Sequence, residues 1–178
     1  MGHDEHRRVV AIDRAVRAGD LVVALEAVGT EPMPLAIGPL LTYAVYHAPL
    51  AFVRELLARG HGPNEPADDG FPPLIAAITC AADHRGSPAR PDVLDLIRLL
   101  LQAGADPNGR GINDWTPLHA AIGYGGLAAI PLLLDAGADP TLRTRIDDYE
   151  TAEEMAADAG LTEVTALLRA GKVSPPSP

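Results

Sequence analysis

Between residues 116 and 142 the apolar positions keep a helical rhythm. Leu118, Ala121 and Ile122 fall at 3–4 spacing and share one helix face. Thr116 stands before that face as an N-cap, and Pro117 suits the first helical position, where a missing N–H costs nothing. Gly125–Gly126 breaks the helix, and Leu127 to Leu134 forms a second one with Pro131 near its start, where the ring kinks it mildly. Gly137 is placed to end that helix in left-handed backbone, and Asp139–Pro140 turns the chain into a loop. One such hairpin cannot bury its own apolar face, but a stack of them can.

The hairpin recurs. "LLQAGADPN" (Leu100–Asn108) is answered by "LLDAGADPT" (Leu133–Thr141) 33 residues later, and "LLARGHGPN" (Leu56–Asn64) lies 44 residues before the first. "TPLHAA" (Thr116–Ala121) has partners in register at "PLLTYA" (Pro39–Ala44), "PPLIAA" (Pro72–Ala77) and "TAEEMA" (Thr151–Ala156), with a fainter copy near Ala11. A 33-residue period carrying T-P-L-H-x-A resembles the ankyrin repeat. The resemblance covers five units from about Val9 to Gly171, the first and last degenerate as caps. It implies an all-α solenoid of stacked helix-turn-helix units, with finger loops along one edge of a concave face. It also implies that His119, at the motif histidine, ties adjacent loops together rather than doing chemistry. Residues 1–173 read as one domain, and the Pro-rich tail 174–178 reads as disordered.

Two departures interrupt the pattern. An 11-residue insertion, about 81–91, falls at the turn between the two helices of the third unit, and Asp92 is placed to cap the helix that follows. The last unit carries Ala152 and Glu154 where the motif has proline and histidine, as a cap could.

Composition narrows the function classes. The chain has 178 residues, 47 % of them hydrophobic, with a formal net charge of −10. That charge argues against a nucleic-acid partner, which needs Lys and Arg to neutralise phosphates, and favours a basic protein partner. No apolar run reaches membrane-spanning length, no signal peptide is evident, and the single cysteine, Cys80, suits a reducing cytoplasm. Arginine outnumbers lysine thirteen to one, a bias that points to a GC-rich, bacterial genome.

Catalytic chemistry is hard to assemble. The serines (Ser87, Ser174, Ser177) lie in the insertion and the tail, away from any base. The six histidines include no i, i+4 pair, so neither a metal site nor a cofactor is expected. His3, Glu5 and His6 cluster in a terminus expected to fray. The expectation is a monomeric non-enzyme.

The aromatics carry the functional signal. Phe71 and Trp115 occupy the residue before the motif threonine, Tyr149 lies one residue earlier in its unit, and Asp69, Asp114 and Asp148 stand beside them. Tyr46 and Tyr124 fall at the ends of first helices, which the resemblance places on the floor of a binding groove. Tyr43 and Phe52 read as core. Aromatic side chains dominate interface hot spots. The expected partner-binding set is therefore Trp115, Tyr124, Phe71, Asp114, Asp69, Tyr46, Tyr149 and Asp148. Three roles stay open: a protein-binding module, an inhibitor or immunity-type protein that blocks a basic toxin or enzyme, and an accessory subunit of an enzyme.

Overall fold

The computed structural model describes residues 3–29, 34–35, 38–65, 70–82, 89–145 and 149–171. Among these residues the helices form five antiparallel pairs. They are α1 (His3–Ala18) with α2 (Leu21–Val28), α3 (Leu40–His47) with α4 (Leu50–Ala58), and α5 (Pro73–Thr79) with α6 (Val93–Gln102). The last two pairs are α7 (Pro117–Gly123) with α8 (Ile130–Asp135) and α9 (Ala152–Asp158) with α10 (Thr162–Gly171). Two strands of two residues each, β1 (Pro34–Leu35) and β2 (Gly38–Pro39), pair antiparallel just before α3. Helices α3, α5, α7 and α9 stack in sequence as an inner row, and α4 packs on α6 in an outer one. The architecture is an all-α solenoid.

Small residues make the inner row possible. Ala76, Ala77, Ala120 and Ala121 are fully buried, so consecutive helices approach without bulky side chains between them. Each outer helix of the three central units sends one leucine into the core at the same register: Leu56, Leu100 and Leu133, all fully buried. Burying each is worth about 1.5–3 kcal/mol.

The turns between units are also repeated. Gly60, Gly104 and Gly137 share a φ of 91°, a conformation that other residues adopt only with strain. Asparagine then links unit to unit. Asn64 donates to the Gly104 carbonyl (2.8 Å) and accepts from the Asp106 N–H (2.7 Å). Asn108 repeats this one unit on, with the Gly137 carbonyl (3.1 Å) and the Asp139 N–H (2.7 Å). The ladder stops at Thr141, whose N–H and hydroxyl turn back to Asp139 (2.8 and 2.6 Å).

Several details differ from the sequence-based expectation. The chain is helical from His3 onward, with Arg17 in the last turn of α1 opposing the negative end of the helix dipole. The segment from Leu127 to Leu134 divides into a 3-10 turn (Leu127–Ala129) and α8, because Pro131 has no N–H to return to the Leu127 carbonyl. Asp92 does not cap α6 with its side chain. Its carboxylate instead pairs with Arg90 (2.6 Å), and Arg90 donates to the Val45 carbonyl of α3 (2.6 Å), anchoring the end of the insertion on the second unit. Insertion residues 83–88 and the tail 172–178 lie outside the described residues.

Candidate binding surface

The three loops that precede α5, α7 and α9 share one unusual backbone position. Two residues before each helix cap stand Gly70 (φ 76°), Asp114 (φ 62°) and Tyr149 (φ 56°). Glycine takes this left-handed conformation freely, whereas Asp and Tyr take it at a cost of about 1–3 kcal/mol that surrounding contacts must offset. The two non-glycine residues are held in different ways.

Asp114 is buried, at 9 % exposure, and its carboxylate is already engaged. Arg145 grips both oxygens (2.5 and 2.7 Å), and Arg110 donates to Oδ2 (2.7 Å). These arginines hold its carboxyl below the usual carboxylate range, the Arg145 hydrogen bonds contributing most. The same Arg110 nitrogen also donates to the Arg143 carbonyl in the next loop (3.0 Å). A carboxylate neutralised twice within the chain fixes the loops against one another. Tyr149 is the opposite case. The residue is 62 % exposed, and Arg143 donates to its backbone carbonyl (2.7 Å).

Phe71, Trp115 and Tyr124 come together, although they belong to two different units. Tyr124 lies 6.0 Å from Phe71, edge to face, and 5.5 Å from Trp115. All three are half-buried and pack against the core. Gly123 explains the placement of the tryptophan. A Cβ there would overlap the indole ring, so α7 ends on a glycine that leaves room for Trp115 to lie along the helix, with Met155 of α9 alongside. The three rings form one continuous apolar surface that water reaches only in part.

Tyr46 belongs to a separate cluster. Its ring lies 6.0 Å from His47, and His47 lies 4.9 Å from Tyr43. The Tyr43 hydroxyl donates to Asp13 of α1, and Arg17 grips the same carboxylate (2.9 Å to each oxygen). Tyr43, expected in the core, is half-buried and faces this polar group, whereas Phe52 is fully buried. Sequence reasoning missed the cluster because Tyr43 sits at the register of the buried Ala76 and Ala120. Burial raises the Tyr43 phenol, and the hydrogen bonds from Tyr43 and Arg17 lower the Asp13 carboxyl. Asp69 and Asp148 lie outside the described residues.

His119 is buried and fully occupied. Its Nδ1 faces both the N–H and the hydroxyl of Thr116 (3.3 and 2.8 Å), and its Nε2 meets the Glu150 carbonyl of the next loop (3.1 Å). The backbone N–H can only donate, so Nδ1 accepts and Nε2 carries the proton given to Glu150. Burial is the main force holding this imidazole below its ordinary pKa, and therefore neutral. Burial likewise raises the Cys80 thiol, away from reactive thiolate. Among the described residues no group of three His, Cys, Asp or Glu is placed to hold a metal ion, and no helix is long and apolar enough to cross a membrane.

A family model for ankyrin repeats, in three copies, matches residues 41–144 and 89–173. An ankyrin repeat-containing protein of Treponema pallidum is 35 % identical over 108 residues, 61 % of this chain and 33 % of that protein. The E3 ubiquitin-protein ligase KEG of Arabidopsis thaliana is 35 % identical over 107 residues, 60 % of this chain and 6 % of that protein. The tyrosine-protein kinase Shark of Drosophila melanogaster is 35 % identical over 97 residues, 54 % of this chain and 10 % of that protein. The chain spans a third or less of these relatives, so their catalytic names do not transfer to it. What does transfer is the repeat itself, from the family match through the stacked inner helices to the His119 tie: the chain belongs to the ankyrin-repeat family.

Proposed function

We propose that this chain is a non-catalytic protein-binding module that grips its partner through the concave face and the finger loops. The observation that carries the reading is the continuous surface of Phe71, Trp115 and Tyr124, drawn from two units and set in place by Gly123. Stacked helices hold the rings rigidly, so little side-chain entropy is lost when a partner seats on them. The partner is a basic protein, attracted by a net charge of −10, and neither nucleic acid nor a membrane. Tyr46, Tyr149, Asp69 and Asp148 complete the proposed contact set, and the chain acts as a cytoplasmic monomer. Against an acid–base reading, Asp114 is engaged by two arginines and His119 by Thr116 and Glu150, so neither has a free atom for a substrate.

The test replaces Trp115 and Tyr124 by Ala in the full chain. Circular dichroism checks that the fold survives, and recovery of partner from native extract is compared with wild type. Loss of a specific partner band is the expected result. Unchanged recovery by a folded variant would overturn the proposal.

A further inference from the structure

The cluster between α1 and α3 carries a further inference, which rests on the binding reading above. We propose that Asp13, Tyr43, Tyr46 and His47 form a cation subsite that receives an arginine or lysine side chain of the same partner whose apolar anchor seats on Phe71, Trp115 and Tyr124. The parts have the required chemistry. The Tyr43 and Tyr46 rings lie 4.9 and 6.0 Å from the His47 ring, so three aromatic rings are gathered at one place, and a cation seated on an aromatic face is attracted by it. Beside them Asp13 supplies a carboxylate. Arg17 already holds that carboxylate, but the Arg17 side chain is 68 % exposed and the Asp13 side chain 35 %, against 9 % for Asp114. Such i, i+4 pairs in water are worth little, so a guanidinium that also stacks on the rings displaces Arg17. The chain's net charge of −10 favours the approach of such a group.

The spacing of the two subsites defines the partner further. Helices α3 and α7 are two steps apart in the inner row. At about 10 Å per step the subsites lie roughly 20 Å apart. An extended segment covers that span in about six residues, and a helix in about thirteen. The partner therefore presents a basic residue and a bulky apolar residue at one of these separations.

Random peptides displayed on phage and selected on the full chain supply the probe. Enriched sequences are synthesised with a fluorescent label and titrated by anisotropy. They are expected to pair Arg or Lys with Leu, Phe or Trp at one of the two spacings. Asp13→Asn keeps an acceptor for Tyr43 and should weaken binding about three- to tenfold, as should Tyr46→Ala. Arg17→Ala should tighten binding about two- to fivefold by freeing the carboxylate, an effect that a merely structural role for Asp13 does not predict. The subsite is refuted if the enriched peptides lack basic residues. It is equally refuted if these variants leave affinity unchanged while Trp115→Ala abolishes it. If Trp115→Ala and Tyr124→Ala have no effect, the aromatic surface fails instead, a separate outcome.

Discussion

The fourth and fifth units open their inner helices with the same residue, Thr116 in one and Thr151 in the other, and then diverge. Three residues on, α7 has His119 and α9 has Glu154. Both side chains close a reciprocal capping pair with their threonine. His119 has a second ring nitrogen, and with it reaches the Glu150 carbonyl of the following unit. Glu154 points outward and binds Arg143 of its own loop through both oxygens (2.8 Å each). The central unit thus spends its third residue on joining neighbours, and the terminal unit spends it on itself. The second and third units follow another rule. Their cap position is Pro39 or Pro72, which has no N–H to offer an imidazole, and the histidine register holds Thr42 or Ile75. Thr42 Oγ1 is buried without a partner among the described residues. The lesson is that the motif histidine depends on the residue at the cap, because its inner nitrogen accepts from a backbone N–H that proline lacks, and threonine adds its hydroxyl.

The comparison breaks most sharply at His119. His119→Ala removes a buried ring, strands the Thr116 N–H and takes one donor from the Glu150 carbonyl, which keeps the Thr144 N–H (2.9 Å), so unfolding in urea should show a loss of about 2–4 kcal/mol. Glu154→Ala should cost clearly less, because its carboxylate is exposed. Equal losses would mean that the forward tie contributes nothing.

The dependence on threonine is tested by transplanting the pair. Ile75→His alone buries an imidazole without a donor for Nδ1 and should destabilise by about 1–3 kcal/mol. Adding Pro72→Thr should recover part of that loss. A double-mutant cycle with no coupling energy would sink the dependence.

A pH series sharpens the contrast between histidine and glutamate. Burial depresses the folded pKa of His119 and of His61, which stands where other units have Ala105 and Ala138. The unfolded chain takes up these protons first, at about pH 6.5, so stability is full above that value and falls as pH drops toward the lower folded pKa. His61→Ala should flatten this part of the thermal-melt profile. Glu154 behaves differently. Its pKa is lowered to about 2, chiefly by the Arg143 hydrogen bonds, so its contribution is lost only as pH falls from the ordinary carboxylate range toward 2.

The smallest effect is expected at the other loop pairing. Arg145 is 73 % exposed, and Arg110 still holds Asp114 when Arg145 is removed. Arg145→Ala should cost the least of these variants, and less still in high salt. A larger loss would show that Arg145, rather than Arg110, supports the left-handed Asp114.

Much of the scaffold was legible because its rules are local. The positive φ at Gly60, Gly104 and Gly137 follows from a motif read over a few residues, as does the burial of Leu118, Ala121 and Ile122. The candidate surface was legible only in part. Register brought Phe71, Trp115 and Tyr124 to one region, but nothing near Trp115 in the sequence says that Gly123 clears space for its ring. The pairing of Asp114 was not legible for a related reason: its partner Arg145 lies 31 residues away in a neighbouring loop.

The sequence by itself determined the period, the helix pairs and the turns between them. Each depends on residues within one unit, where backbone geometry is set by spacing along the chain. The tertiary structure decided which charges remain available and which rings touch. Asp114 with Arg145, Tyr43 with Asp13 and Phe71 with Tyr124 each join two units. Such contacts depend on how one hairpin sits on the next. Only the stacked geometry selects among them.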